Sequence, residues 1–173
     1  MYMFNQTSNG VNKKIIVIIL VVVGLLGLMW WGRVTQKPVG AATGEKSTLV
    51  AVEKFYDFGT ISMKNGNVSK DFTVTNPGET DIFIPSLETS CMCTRAYIVE
   101  LDGSTRGPFA MKSMGYVPPA NEMIKAGESR TIRVVYDPNA HGPAGVGPID
   151  RFAILTDRSG AQLELEIKAM VTP

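Results

Sequence analysis

Leu163-Glu164-Leu165-Glu166-Ile167-Lys168-Ala169-Met170-Val171 decides the fold. Leu163, Leu165, Ile167, Ala169 and Val171 fall on one side of an extended chain. Glu164, Glu166 and Lys168 fall on the other. A period of two with one charged face is the pattern of a half-buried β-strand. A helix would scatter the same residues around its circumference.

The same signal recurs upstream in shorter pieces. Phe72 and Val74 alternate with Thr73 and Thr75 before the turn Asn76-Pro77-Gly78. Ile82-Phe83-Ile84 ends at Pro85. Ile132, Val134 and Tyr136 alternate with Thr131, Arg133 and Val135 before Asp137-Pro138-Asn139. Phe152 and Ile154 belong to a strand that ends at Asp157-Arg158-Ser159-Gly160. Short strands punctuated by proline, glycine and asparagine turns predict an all-β, immunoglobulin-like β-sandwich of about seven to eight strands, with a small closed barrel as the rival. The irregular stretch is 100–125, rich in glycine and proline and holding Met111, Met114 and Met123. Stretches of this kind are functional or are tolerated surface insertions, here with room for a short hairpin.

The amino-terminal segment is of another kind. Ile15 to Trp31 is an unbroken apolar or glycine run, IIVIILVVVGLLGLMWW. Its length, about 17 residues, is at the short end of what spans a bilayer as a helix. A helix apolar on every face needs lipid around it, and Trp30 and Trp31 suit a membrane interface. We read 1–14 as a short tail, 15–32 as a transmembrane signal-anchor helix, 33–48 as a flexible stalk and 49–173 as the sandwich. Lys13 and Lys14 before the run favour an amino terminus inside and a carboxy-terminal domain on the extracytoplasmic side, a single-pass arrangement. Cleavage near Val39-Gly40-Ala41 is the alternative. The portion after the stalk, roughly 125 residues, has the size of one domain.

Composition excludes several functions. The 173 residues carry a net charge of +1, so no basic surplus points to nucleic acid. One histidine, His141, leaves little for acid–base catalysis. The glycine-rich stretch 142–147 lacks the lysine of a phosphate loop, and no hydrolase signature surrounds a serine. The sequence therefore predicts no enzyme and no resident cofactor.

The residues with notable chemistry are Cys91 and Cys93. On an extended Cys91-Met92-Cys93 both thiols share a face, with α-carbons about 6.5 Å apart, near the upper limit for a disulfide. Three readings stay open: two small apolar residues in a packed strand end, a disulfide or redox-active dithiol, or a soft-metal site for copper or zinc. His141 has nothing in sequence to bring it near Cys91 and reads as solvated. Met92 would point away from the thiols, and the methionines of 100–125 are further soft donors whose usual role is packing.

Several motifs taken together resemble a known family. They are Phe55-Tyr56-Asp57-Phe58-Gly59-Thr60-Ile61, Asp71-Phe72-Thr73-Val74-Thr75-Asn76-Pro77-Gly78, Leu87-Glu88-Thr89-Ser90-Cys91-Met92-Cys93-Thr94 and Lys125-Ala126-Gly127-Glu128-Ser129. In order and spacing, from Leu49 to Val171, they resemble the bacterial domain of unknown function family 1573, related to ASH and major-sperm-protein-like sandwiches. The resemblance implies an immunoglobulin-like sandwich at the cell envelope and no reaction. Met92 replaces the glycine that the family carries between its cysteines. The functional expectation is a membrane-anchored, non-catalytic envelope module, held through Ile15–Trp31 and binding or assembling with an envelope protein. The alternatives are metal or redox handling at Cys91 and Cys93, and a purely structural spacer.

Overall fold

The structure, a computed structural model, describes residues 15–17, 19, 22 and 48–173. The chain divides into two compact units, Met1–Thr43 and Gly44–Pro173. In the first, Ile15, Ile16, Val17, Ile19 and Val22 are helical and exposed. The remainder of the expected span and nearly all of the stalk lie outside the described residues. Among the described residues no helix is long and apolar enough to cross a membrane.

The second unit is all β. Its strands are β1 (Val50–Ala51), β2 (Phe55–Ser62), β3 (Val68–Thr75), β4 (Ile82–Ile84), β5 (Ser86–Thr89), β6 (Thr94–Val99), β7 (Thr105–Phe109), β8 (Glu122–Ile124), β9 (Ser129–Tyr136), β10 (Gly147–Thr156) and β11 (Gln162–Thr172). One sheet has the order β1-β3-β9-β6-β7, a second has β2-β11-β10-β5, and β4 pairs with β8 as a two-stranded ribbon. Eleven strands stand where seven or eight were expected. β4 is the Ile82-Phe83-Ile84 run already read from the sequence, and the surplus comes from β1, β5 and β8, of two to four residues each. Pieces that short carry no measurable alternation.

The strand that opened the sequence reading sits inside its sheet, between β10 and a parallel β2. Leu163, Leu165, Ile167, Ala169 and Val171 are buried in one core with Phe72, Val74, Ile98, Ile132 and Val134 of the other sheet. Burial of both inner faces is what holds two such sheets together; each fully buried Ile or Leu contributes about 2 kcal/mol. Glu164 is exposed, and Lys168 pairs with Glu166 and Asp150 on the outer face.

The stretch 100–125 is more ordered than its composition implies. A tight turn, in which the Gly103 N–H donates to the Glu100 carbonyl, joins β6 and β7 as a hairpin. A single 3-10 turn follows at Lys112–Met114. The buried Glu122 on β8 then accepts from Arg106 on β7 and Arg130 on β9. Burying a carboxylate is costly unless cations face it, and here two do.

Candidate functional site

The cysteines lie where the chain crosses from one sheet to the other. β5 is bonded to β10 in the four-stranded sheet, and β6 to β9 in the five-stranded sheet. Four residues, Ser90 to Cys93, make that crossing, so they cannot stay extended. The turn closes through the Thr94 N–H donating to the Cys91 carbonyl at 3.1 Å. Buried Thr89 braces it from inside, its Oγ1 lying 3.1 Å from the Cys91 carbonyl oxygen and 2.9 Å from that of Thr94. Ser90 to Cys93 form a bend and turn, which is the local bend that a bridge between the two cysteines requires. The α-carbons of Cys91 and Cys93 are 5.3 Å apart, and their sulfurs are joined as a disulfide. The Cys93 N–H also points at Cys91 Sγ, 3.3 Å away.

The two sulfurs have unlike surroundings. Cys93 is 2 % exposed, whereas Cys91 is only partly buried and Met92 between them is exposed. Arg151 on β10 donates from Nε to Cys93 Sγ at 3.3 Å, and from Nη1 to the Asp150 carbonyl at 2.7 Å. A guanidinium against a sulfur stabilises negative charge there. Nearby, burial holds the Tyr136 phenol above its ordinary pKa, with Arg151 pulling the other way.

His141 is the larger correction. Its Nε2 is 3.3 Å from Cys91 Sγ, although the sequence offered no reason to bring them together. The cause is register. Thr94 at the start of β6 pairs with Tyr136 at the end of β9, so each chain leaves its strand at the same end of the sandwich. The Asp137 N–H donates to the Cys93 carbonyl at 2.8 Å and fixes the root of the next loop. Asp137 Oδ1 accepts from the Asn139 N–H, and Asn139 Nδ2 donates to the Met63 carbonyl. Gly142 takes a left-handed φ of 55°, which lets the chain reverse just after the histidine. At Gly145 an added Cβ would come within 3.3 Å of His141 Cβ, so the loop closes tightly at that residue, which itself stays exposed.

Cys91 Sγ, Cys93 Sγ and a ring nitrogen of His141 therefore all lie within 4.8 Å of one another. Two thiolates and one imidazole are soft to borderline donors, the set that suits copper(I) better than a hard cation. Zinc prefers four ligands and would need a fourth from outside the cluster. Met92 is not part of it. Its side chain lines a separate groove of about 250 Å³ with Arg95, Met111, Met114 and Tyr116, and neither cysteine lines that groove.

Comparison with known proteins matches residues 49–101 to the family described as a protein of unknown function, DUF1573. The matched segment contains the cysteine turn and stops before most of 100–125, whereas the motifs had suggested a match as far as Val171. No curated protein matches the sequence. Among solved structures, a protein of unknown function from Porphyromonas gingivalis W83 is similar at 14 % identity and a TM-score of 0.51, over 78 % of this chain and 51 % of that one. The secreted serine protease VesC from Vibrio cholerae aligns at 15 % identity and a TM-score of 0.45, over 72 % of this chain and 24 % of that one. The chain thus spans about half the length of the Porphyromonas protein, with which it shares a fold.

Proposed function

We propose that this chain is a non-catalytic, membrane-tethered module of the cell envelope that handles a soft metal ion, copper(I), at Cys91, Cys93 and His141. The carrying observation is the convergence of three soft or borderline donors from two loops 50 residues apart. In this reading the two sheets form an immunoglobulin-like sandwich. Ile15–Trp31 anchors it, the stalk gives it reach, and the carboxy-terminal domain faces the extracytoplasmic side, where an envelope partner protein delivers or receives the ion. The metal is held once a dithiol of the envelope partner has reduced the Cys91–Cys93 disulfide, the partner's two thiols becoming a disulfide in exchange. Two thiolates then balance the ion's charge, and Arg151 offsets the remaining negative charge on Cys93.

A second reading uses the same pair as a thiol–disulfide exchanger, and the unlike surroundings of the sulfurs favour it. A thiolate of a partner protein would attack the more accessible Cys91 sulfur. The Cys91–Cys93 bond breaks, a mixed disulfide forms at Cys91, and the electron pair leaves on Cys93 beside Arg151.

The test is copper binding by the reduced full chain in detergent, read by elemental analysis after removal of free ion. The metal reading expects one copper(I) per chain, lost in Cys91→Ser and Cys93→Ser and weakened in His141→Ala. Absence of bound copper in the reduced chain, with rapid exchange against a small disulfide, would replace it with the second reading.

A further inference from the structure

We infer that the groove beside the cysteine turn is a second soft-metal site, built from the thioethers of Met92, Met111 and Met114 and selective for a monovalent cation such as copper(I) or silver(I). The inference deepens the proposed soft-metal function and rests on it for its purpose, though not for its geometry.

The described residues contain six methionines: Met63, Met92, Met111, Met114, Met123 and Met170. Three of them line one groove of about 250 Å³, together with Arg95, Ala110, Gly115, Tyr116 and Val117. Exposure alone does not single them out, because Met123 and Met170 are 44 % and 45 % exposed; the shared groove does. Met92 is 43 % exposed and Met114 60 % exposed, while methionine ordinarily fills gaps in a core. Local structure explains how they gather. Met111 caps the 3-10 turn Lys112–Met114 with an extended backbone, so one tight turn carries both residues. The Met114 N–H donates to the Met111 carbonyl at 3.1 Å and closes that turn. The segment is held to β5 at two points: the Thr89 N–H donates to the Ala110 carbonyl, and Lys112 pairs with Glu88 at 3.1 Å. Met92 completes the set from the cysteine turn itself.

The lining fixes the class of ligand. It holds no carboxylate, imidazole or thiol, so calcium, magnesium and zinc find no suitable donor. Thioethers are neutral, soft donors that favour copper(I) and its analogue silver(I). The charged group in the lining is Arg95, which is exposed and repels a cation. Binding is consequently weaker than at an anionic thiolate pair, as a site that collects an ion and passes it on requires. Met92 sits between Cys91 and Cys93, so the thioether groove and the thiolate site are neighbours on one turn.

The test uses the full chain in detergent with carbon-13-labelled methionine methyl groups, titrated with silver nitrate while the Cys91–Cys93 disulfide is intact. Because the disulfide leaves no thiolate in that state, a shift at these three methyls reports the groove, while Met1, Met3 and Met29 elsewhere in the chain give signals of their own. The expected result is saturable shifts at the Met92, Met111 and Met114 methyls, at one silver per chain, with Met63, Met123 and Met170 unmoved. Replacing Met111 alone by leucine keeps the Met92 and Met114 methyls as reporters and weakens their silver response several-fold. Leucine is close to methionine in volume, and unchanged Met63, Met123 and Met170 signals verify the fold. Arg95→Gln tightens silver binding several-fold. Absence of shifts, or equal shifts at exposed Met123 and Met170, overturns the site. Copper binding by the reduced thiols is scored separately, so the groove and the thiolate site stand or fall by different signals.

Discussion

Each sulfur of the cysteine pair faces a different basic side chain, His141 Nε2 on Cys91 and Arg151 Nε on Cys93, both at 3.3 Å. The contact with Arg151 is a charge-assisted hydrogen bond to any thiolate on Cys93. Such a bond contributes about 1.5 kcal/mol, so Arg151→Gln weakens copper(I) binding by roughly tenfold; a competition titration with a chromophoric copper(I) chelator reads it. Thr89 carries a different burden. Its buried hydroxyl faces two carbonyl oxygens of the turn, and Thr89→Val withdraws the donor while keeping the shape. We expect a loss of about 1–2 kcal/mol in urea unfolding, with the disulfide becoming easier to reduce. At this scale the sequence told half the story. Cys91 and Cys93 stood out by their chemistry, but His141 did not. Its approach depends on the pairing of Thr94 with Tyr136, a long-range register that no local pattern encodes.

Strands were legible in proportion to their length and one-sidedness. The alternation from Leu163 to Val171 gave β11 its inner and outer faces, and the Asn76-Pro77-Gly78 turn fell where β3 ends. Asn76 earns that place physically: fully buried, it donates from Nδ2 to the Thr80 and Ile124 carbonyls and accepts from the Gly78 N–H. The cysteine turn was not legible as a turn because four residues between two sheets show no period of any kind. The same holds for β8, which is defined by Glu122 between Arg106 and Arg130 and not by its own sequence. Glu122→Ala leaves two cations facing one another without their carboxylate. We expect it to destabilise the domain by roughly 3 kcal/mol, visible as a lowered denaturation midpoint and loosened amide protection in β7 and β8. Across β3 and β9, Asp71 lies opposite Arg133 and accepts from its Nε and one terminal nitrogen at 2.7 and 2.8 Å. The hydrogen bond from Arg133, more than its charge, holds the Asp71 carboxyl below its ordinary value, against a smaller opposing effect of burial. The folded value is the lower one, so the pair stabilises the domain above the unfolded carboxyl's pKa. That contribution is lost as pH falls through the folded value. Both groups are well exposed, which limits the effect to about 0.5 kcal/mol. Asp71→Asn should lower stability by that amount near neutrality and leave it unchanged at pH values below the folded carboxyl's pKa, so that the acid limb flattens in urea unfolding followed against pH.

Over the whole molecule, fold class was readable because one-sided strands must find a second apolar face, and in a domain of this size that face is a second sheet. The site was not readable in the same way, because it forms where the connections between the two sheets meet. The β5–β6 crossing, the β9–β10 loop and the segment after β7 come from distant parts of the chain, yet together they carry the cysteines, His141 and the methionine groove. An exported module placed at the membrane by its amino-terminal segment would present these loops to a partner, with the sheets serving as the rigid support.

The central claim is that Cys91, Cys93 and His141 hold one soft ion between them. X-ray absorption at the copper edge, on the reduced full chain loaded with one equivalent of copper(I), tests it most directly. The account predicts two sulfur neighbours and one imidazole nitrogen, with the nitrogen contribution missing in His141→Ala. A spectrum identical for the wild-type and His141→Ala chains would contradict it.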